Sequence, residues 1–152
     1  MGLINPQVRP QYYKPSVDEQ KELHKLGLTV SGVVLSFQIA VILGVHFKAG
    51  EWGRTRCGSV VVTTLKGKTR YCIVGRFLQV GSRCVACGLT WFAPQRYPYY
   101  PNPLVVVSSI TNCDVEPCVL PARDIIPTRV FIEPHLDGVN YNLIRESGTD
   151  AV

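Results

Sequence analysis

The sequence predicts a mainly β protein, a small barrel of roughly five to seven strands with one short N-terminal helix. Thirteen glycines and eleven prolines among 152 residues interrupt the chain too often for long helices. Between these breaks Val, Ile, Thr, Tyr and Phe recur in short runs, and such residues suit a pleated, half-buried surface. Only Ser16–Gly27 carries start and stop chemistry for a helix. The length matches one domain with its own core, so neither disulfides nor a metal are needed for folding. The expected organisation is an extended arm over residues 1–15, then a single β-rich domain over 16–152.

In the arm, Pro6, Pro10 and Pro15 forbid regular structure. Ser16 and Glu19 then have capping-box spacing, Asp18 and Glu19 suit the positive end of a helix dipole, and Gly27 supplies a left-handed stop. From Leu26 to Phe47 no residue is formally charged. Such a run forms either buried strands or a bilayer-spanning helix. Its Val and Ile content, its diluting Gly, Ser, Thr, Gln and His, and its balanced flanks favour strands at Val30–Leu35 and Ile39–Phe47. Lys48–Gly58 is a loop carrying Trp52. Ser59–Leu65 and Lys68–Val80 flank Lys66-Gly67, the signature of a hairpin. Arg83–Phe92 and Leu104–Thr111 are further strands. Residues 122–127 form a turn or a single helical turn. Thr128–Glu133 and Tyr141–Arg145 pair around Leu136-Asp137-Gly138.

The net charge is +5, yet residues 48–96 hold nine Lys and Arg against Glu51 alone. A basic middle attracts polyanions. Alternation along the strand from Lys68 sets Lys68, Arg70 and Arg76 on one face. With Lys66 and Arg83 they are the candidate phosphate contacts. An ordinary solvated face explains the same pattern. Trp52, Trp91, Tyr97, Tyr99 and Tyr100, several of them in a proline-stiffened loop (Ala93–Pro103), form the candidate recognition surface, since rigid aromatics lose little entropy on binding. Folding of that loop over one end of the barrel is the alternative.

Cys84-x-x-Cys87 with Cys113 and Cys118 raises a zinc alternative. A continuous strand, however, puts Cys84 and Cys87 on opposite faces. Free thiols packed as small apolar groups are the preferred reading, with no metal and no cofactor expected. His24, His46 and His135 sit in no local nucleophile–base signature, so no catalytic residue is assigned and the chain is not read as an enzyme. The first 25 residues carry no secretory signal, which predicts a reducing intracellular compartment. The expected partners are nucleic acid or chromatin, or else a protein partner within a larger assembly. No small-molecule substrate and no membrane are expected.

Several stretches together resemble the C-terminal region of animal proteins derived from CACTA-type DNA transposases. They are Gly50-Glu51-Trp52-Gly53, Arg56-Cys57-Gly58-Ser59-Val60-Val61, Arg70-Tyr71-Cys72-Ile73-Val74-Gly75-Arg76-Phe77-Leu78, Tyr97-Pro98, Pro103-Leu104-Val105-Val106, Asp124-Ile125-Ile126-Pro127 and Arg145-Glu146-Ser147-Gly148-Thr149-Asp150. The resemblance implies a small β-barrel of the bromo-adjacent-homology or Tudor kind. It also implies a nuclear, non-catalytic accessory role in contact with DNA, chromatin or another part of a larger protein. The uncharged stretch Leu26–Phe47 departs from that family pattern.

Overall fold

Ser16 begins the single helix as its spacing predicts. Its hydroxyl accepts the Glu19 amide, while Glu19 Oε1 accepts the Ser16 amide at 2.8 Å. The helix, α1 (Val17–Lys25), ends at Gly27, whose φ of +80° is costly for residues with a Cβ. A computed structural model describes residues 2–4, 11–50, 60–106 and 117–145. Apart from α1 and a 3-10 turn at Ala122–Asp124, its regular elements are short strands, all paired antiparallel.

Three sheets share them. The first has the order β1 (Gly2–Ile4), β4 (Ile39–Ile42), β5 (Val45–Lys48). The second runs β12 (Val119–Pro121), β9 (Arg83–Cys87), β8 (Arg76–Val80), β3 (Val34–Phe37), β2 (Gln11–Tyr13). The third and largest runs β10 (Thr90–Phe92), β7 (Lys68–Ile73), β6 (Val60–Leu65), β13 (Ile125–Pro134), β14 (Tyr141–Arg145), β11 (Leu104–Val105). Just past β10, Gln95 bridges Leu104 of β11 through two backbone bonds of 2.8 and 2.7 Å. This bridge ties the two outer strands of the six-stranded sheet together, so that it nearly closes as a barrel.

Val60, Val62, Ile73, Phe92, Val105, Val130 and Leu143 pack together on one face of that sheet. Val61, Cys72 and Trp91 leave the opposite face and meet Ala40, Ile42, Phe47, Phe77, Ala86 and Leu120 of the other two sheets. Burial on both faces is why these strands read as unbroken apolar runs. A third cluster joins Leu23 of α1 to Leu78, Val80, Val85 and Val119 on the outer face of the five-stranded sheet.

The hairpin at Lys66-Gly67 is present. Both residues have positive φ, 51° and 77°, as a two-residue turn of the primed type requires. The last hairpin is also present. Asp137 Oδ1 accepts the Asn140 and Val139 amides at 2.9 Å each, and these bonds hold its carboxyl below the ordinary value.

Other boundaries differ from expectation. The expected strand Lys68–Val80 breaks at Val74-Gly75, where the chain passes from the six-stranded to the five-stranded sheet. The expected Arg83–Phe92 breaks at Gly88-Leu89 and passes back. The two corners touch. A Cβ on Gly75 would lie 2.8 Å from the Gly88 carbonyl oxygen, so neither corner has room for a side chain. Within Ile39–Phe47 the chain reverses at Leu43-Gly44, both at positive φ. The expected strand Val30–Leu35 instead runs Val34–Phe37, after a turn and irregular chain over residues 26–33. Strands thus occupy only the second part of Leu26–Phe47, and among the described residues no helix is long and apolar enough to cross a membrane. The arm is not without structure, because β1 and β2 each add an edge to a sheet. Pro15 lies between β2 and α1, where a missing N–H costs no ladder bond.

Candidate functional site

The outer face of the five-stranded sheet is apolar where α1 covers it and polar where it does not. Tyr13, Val34 and Leu78 belong to the apolar part. Gln11, Ser36 and Arg76 lie two residues further along the same three strands and therefore on the same face. Here a cleft of about 530 Å³ opens, completed by Tyr12, Gln38 and Gly75 and by Lys48-Ala49-Gly50 at the end of β5. Ala49 N–H donates to the Gln38 carbonyl at 2.6 Å and Gly50 N–H to the Val74 carbonyl at 2.9 Å, which fixes this wall against the sheet.

Arg76 stacks its guanidinium over the Tyr13 ring, 3.9 Å from the centroid. Tyr13 is held from its other end, where its hydroxyl donates to Glu19 Oε1 at 2.5 Å. Burial, reinforced by the Glu19 carboxylate, raises the phenol's pKa and keeps it protonated. A guanidinium over an aromatic ring still offers N–H groups along its edge, and these can meet an oxyanion in bidentate fashion. With Lys48 beside it, the cleft holds two cations, and among the described residues none of its lining side chains is acidic.

The structure distributes the other expected phosphate contacts. Lys66 and Lys68 are exposed at the β6–β7 turn. Arg70, half-buried, lies 5.7 Å from the centroid of the Trp91 ring. Arg76 starts β8 in a different sheet. Arg83 stands at the opposite, turn end of the β8–β9 hairpin, its Nη1 3.4 Å from the Leu26 carbonyl oxygen. Lys68 lies five positions from Ile73 at the far end of β7, roughly 17 Å of strand. Lys66, Lys68 and Arg70 therefore form one group, while Arg76 and Arg83 occupy two further places.

The aromatic set also divides. Trp91 is 1% exposed and its indole N–H donates to the Pro117 carbonyl at 3.1 Å. It is a core residue, a correction to its placement on the recognition surface, and the alternation of β10 puts it there. Tyr97, Tyr99 and Tyr100 do reach solvent, Tyr99 at 91% exposure. Their loop is pinned at its base by the Gln95–Leu104 bridge. At its tip Tyr100 meets Tyr97 edge-on at 6.2 Å and His135 at 4.7 Å. Trp52 and Cys113 lie outside the described residues.

Cys84 packs into the inter-sheet cluster and Cys87 into the cluster beneath α1, so the two thiols face opposite ways. Burial raises the Cys84 thiol to about 12 and pushes Cys72 and Cys87 up as well. Among the described residues no cluster of His, Cys, Asp and Glu could hold a metal ion. Cys118 serves α1 instead. Glu22 Oε2 accepts its amide at 2.6 Å, its thiol at 2.7 Å and the Val119 amide at 3.0 Å.

Sequence reasoning missed Lys48, Tyr12, Tyr13, Ser36 and Gln38. Only Tyr12-Tyr13-Lys14, an aromatic pair beside a cation, signals a site locally, and reading the arm as free of structure hides it. Set against family models, curated proteins and solved structures, the chain has no match in any of the three comparisons.

Proposed function

We propose that the chain is a non-catalytic binding module for nucleic acid, engaging the backbone of a single strand in the cleft beside α1. The supporting observation is the Arg76 guanidinium over the Tyr13 ring, in a cleft that Lys48 also lines and whose described lining has no acidic side chain. Phosphates would meet the Arg76 edge and the Lys48 ammonium. Ser36, Gln38 and Gln11 add neutral hydrogen-bonding groups. Tyr12, 79% exposed at the cleft, offers a ring on which a base can stack, a contact every base can make. A cleft takes up one strand more readily than a duplex, whose broad surface would bridge it. Lys66 and Lys68 at the hairpin turn add long-range attraction. With the resemblance described above, the reading is of an accessory barrel acting on DNA or chromatin in the nucleus.

Fluorescence anisotropy with short labelled single-stranded and duplex oligonucleotides tests this. The single strand should bind more tightly, and its affinity should fall steeply between about 50 and about 200 mM salt, as released counterions require. Absence of salt-dependent binding to either would end the proposal.

A second reading, a protein-interaction domain of a larger assembly, draws on a different surface. Tyr99 stands out in its loop, and Leu136 at 99% and Val139 at 64% exposure project from the neighbouring β13–β14 turn. Tyr99→Ser/Leu136→Ser should then abolish capture of a protein partner while leaving oligonucleotide affinity unchanged. Loss of both, or of neither, would count against it.

A further inference from the structure

A second hollow, of about 440 Å³, lies at the end of the β8–β9 hairpin away from Arg76. Its chemistry is sorted by depth. Cys84, Val85 and Ala122 are buried and Leu26, Leu28 and Pro121 half-buried, whereas Ser82, Arg83 and Arg123 are exposed. The floor is thus apolar and the rim carries two guanidiniums, with no acidic side chain among the described lining residues. Three elements fix this shape. Gly27 turns the chain after α1 so that Leu28 packs back with Leu23. Arg83 reaches the Leu26 carbonyl and ties the hairpin turn to the helix end. Pairing of Pro121 with Val85, followed by the 3-10 turn, brings Arg123 to the opening. Cys84, a neutral thiol at neutral pH, leaves the positive charge of the rim uncompensated from below.

We infer that this hollow binds a small carboxylic acid with an apolar body, the body on the Leu28–Val85–Ala122 floor and the carboxylate at the Arg83–Arg123 rim. The volume falls within the roughly 300–1,000 Å³ typical of small-molecule sites, and an apolar cavity with a few convergent polar groups is the usual form of such sites. A purely apolar ligand would leave the rim unused, and a phosphate without an apolar body would leave the floor wet. A carboxylate also matches the planar fork of arginine. The inference is independent of nucleic-acid binding, because the two sites share no residue.

Amide-resolved NMR titration of the full chain with decanoate is the test, with 1-decanol as the uncharged control of equal length. Saturable shifts should appear at Leu28, Cys84, Val85 and Ala122. Decanoate should bind about tenfold more tightly than decanol, the order expected of a charge-assisted hydrogen bond. Arg123→Gln, which leaves the Arg83–Leu26 contact in place, should remove most of that advantage. Arg83→Gln/Arg123→Gln should remove all of it, and decanol binding should be unchanged in Arg123→Gln. Lys48→Gln/Arg76→Gln should leave decanoate affinity as it was. Equal affinity for acid and alcohol, shifts confined to other regions, or an undiminished preference in Arg83→Gln/Arg123→Gln would each overturn the inference.

Discussion

Gly75 and Gly88 meet at the two points where the chain changes sheets, and the need for glycine differs between them. Gly88 has φ +65° and its added Cβ would lie 3.2 Å from Gly75 Cα, whereas Gly75 has no positive φ and its added Cβ would lie 2.8 Å from a carbonyl oxygen. Gly75→Ala should therefore destabilise through backbone contact alone, by about 1–3 kcal/mol. Gly67, at φ +77° but in open space, provides the comparison. Gly67→Ala should cost only the left-handed penalty of about 1–2 kcal/mol. Urea midpoints measure both. A harmless Gly75→Ala would show that the two corners are not in contact. Arg76, the next residue, depends on this corner, which delivers its guanidinium to the Tyr13 ring.

At the scale of elements, α1 is held to the sheet by the buried Leu23 and by two carboxylates. Glu19 takes the Tyr13 hydroxyl, and Glu22 takes two amides and a thiol at the start of β12. Glu22→Ala leaves those amides without their acceptor and should cost about 2 kcal/mol. Ser16→Ala removes only the cap and should cost about 1 kcal/mol. Thermal or urea melts separate the two, and equal losses would contradict the latch. The capping box and the turns at Lys66-Gly67 and Leu136-Asp137-Gly138 were legible because their chemistry is local. The corners at Val74-Gly75 and Gly88-Leu89 were not, since apolar residues continue through them and a change of sheet leaves no mark on alternation. Leu43-Gly44 was hidden for a related reason, lying in an apolar run between two strands. The cleft was the least legible feature. It draws on residues 11–13, 36–38, 48–50 and 75–76, which only the pairing of β2, β3 and β8 and the packing of β5 bring together.

For the molecule as a whole, the buried thiols set an alkaline limit. Cys84 is raised from 9.0 to about 12, so the native chain keeps a proton that the unfolded chain loses. The resulting stability is fully present below pH 9 and disappears as pH rises from 9 towards 12. The unfolding free energy from urea melts should hold from neutral pH to about 8, then fall above pH 9 by roughly 1.4 kcal/mol per pH unit for this thiol. Cys84→Ala should make the decline shallower, leaving the part due to Cys72 and Cys87. A parent profile flat to pH 11 would exclude the effect. The charge pattern acts on the same scale. Among the described residues, basic side chains of the middle segment are spread over three sheets, and the proposed function places the strand's backbone at one of their locations, the cleft. The most direct measurement is the slope of log affinity against log salt for a single-stranded oligonucleotide, compared between the parent, Lys48→Gln/Arg76→Gln and Lys66→Gln/Lys68→Gln. Loss of two phosphate contacts should reduce the slope by about 1.4 in the cleft variant, with a smaller change for the hairpin variant. An unaltered slope in Lys48→Gln/Arg76→Gln would contradict the account.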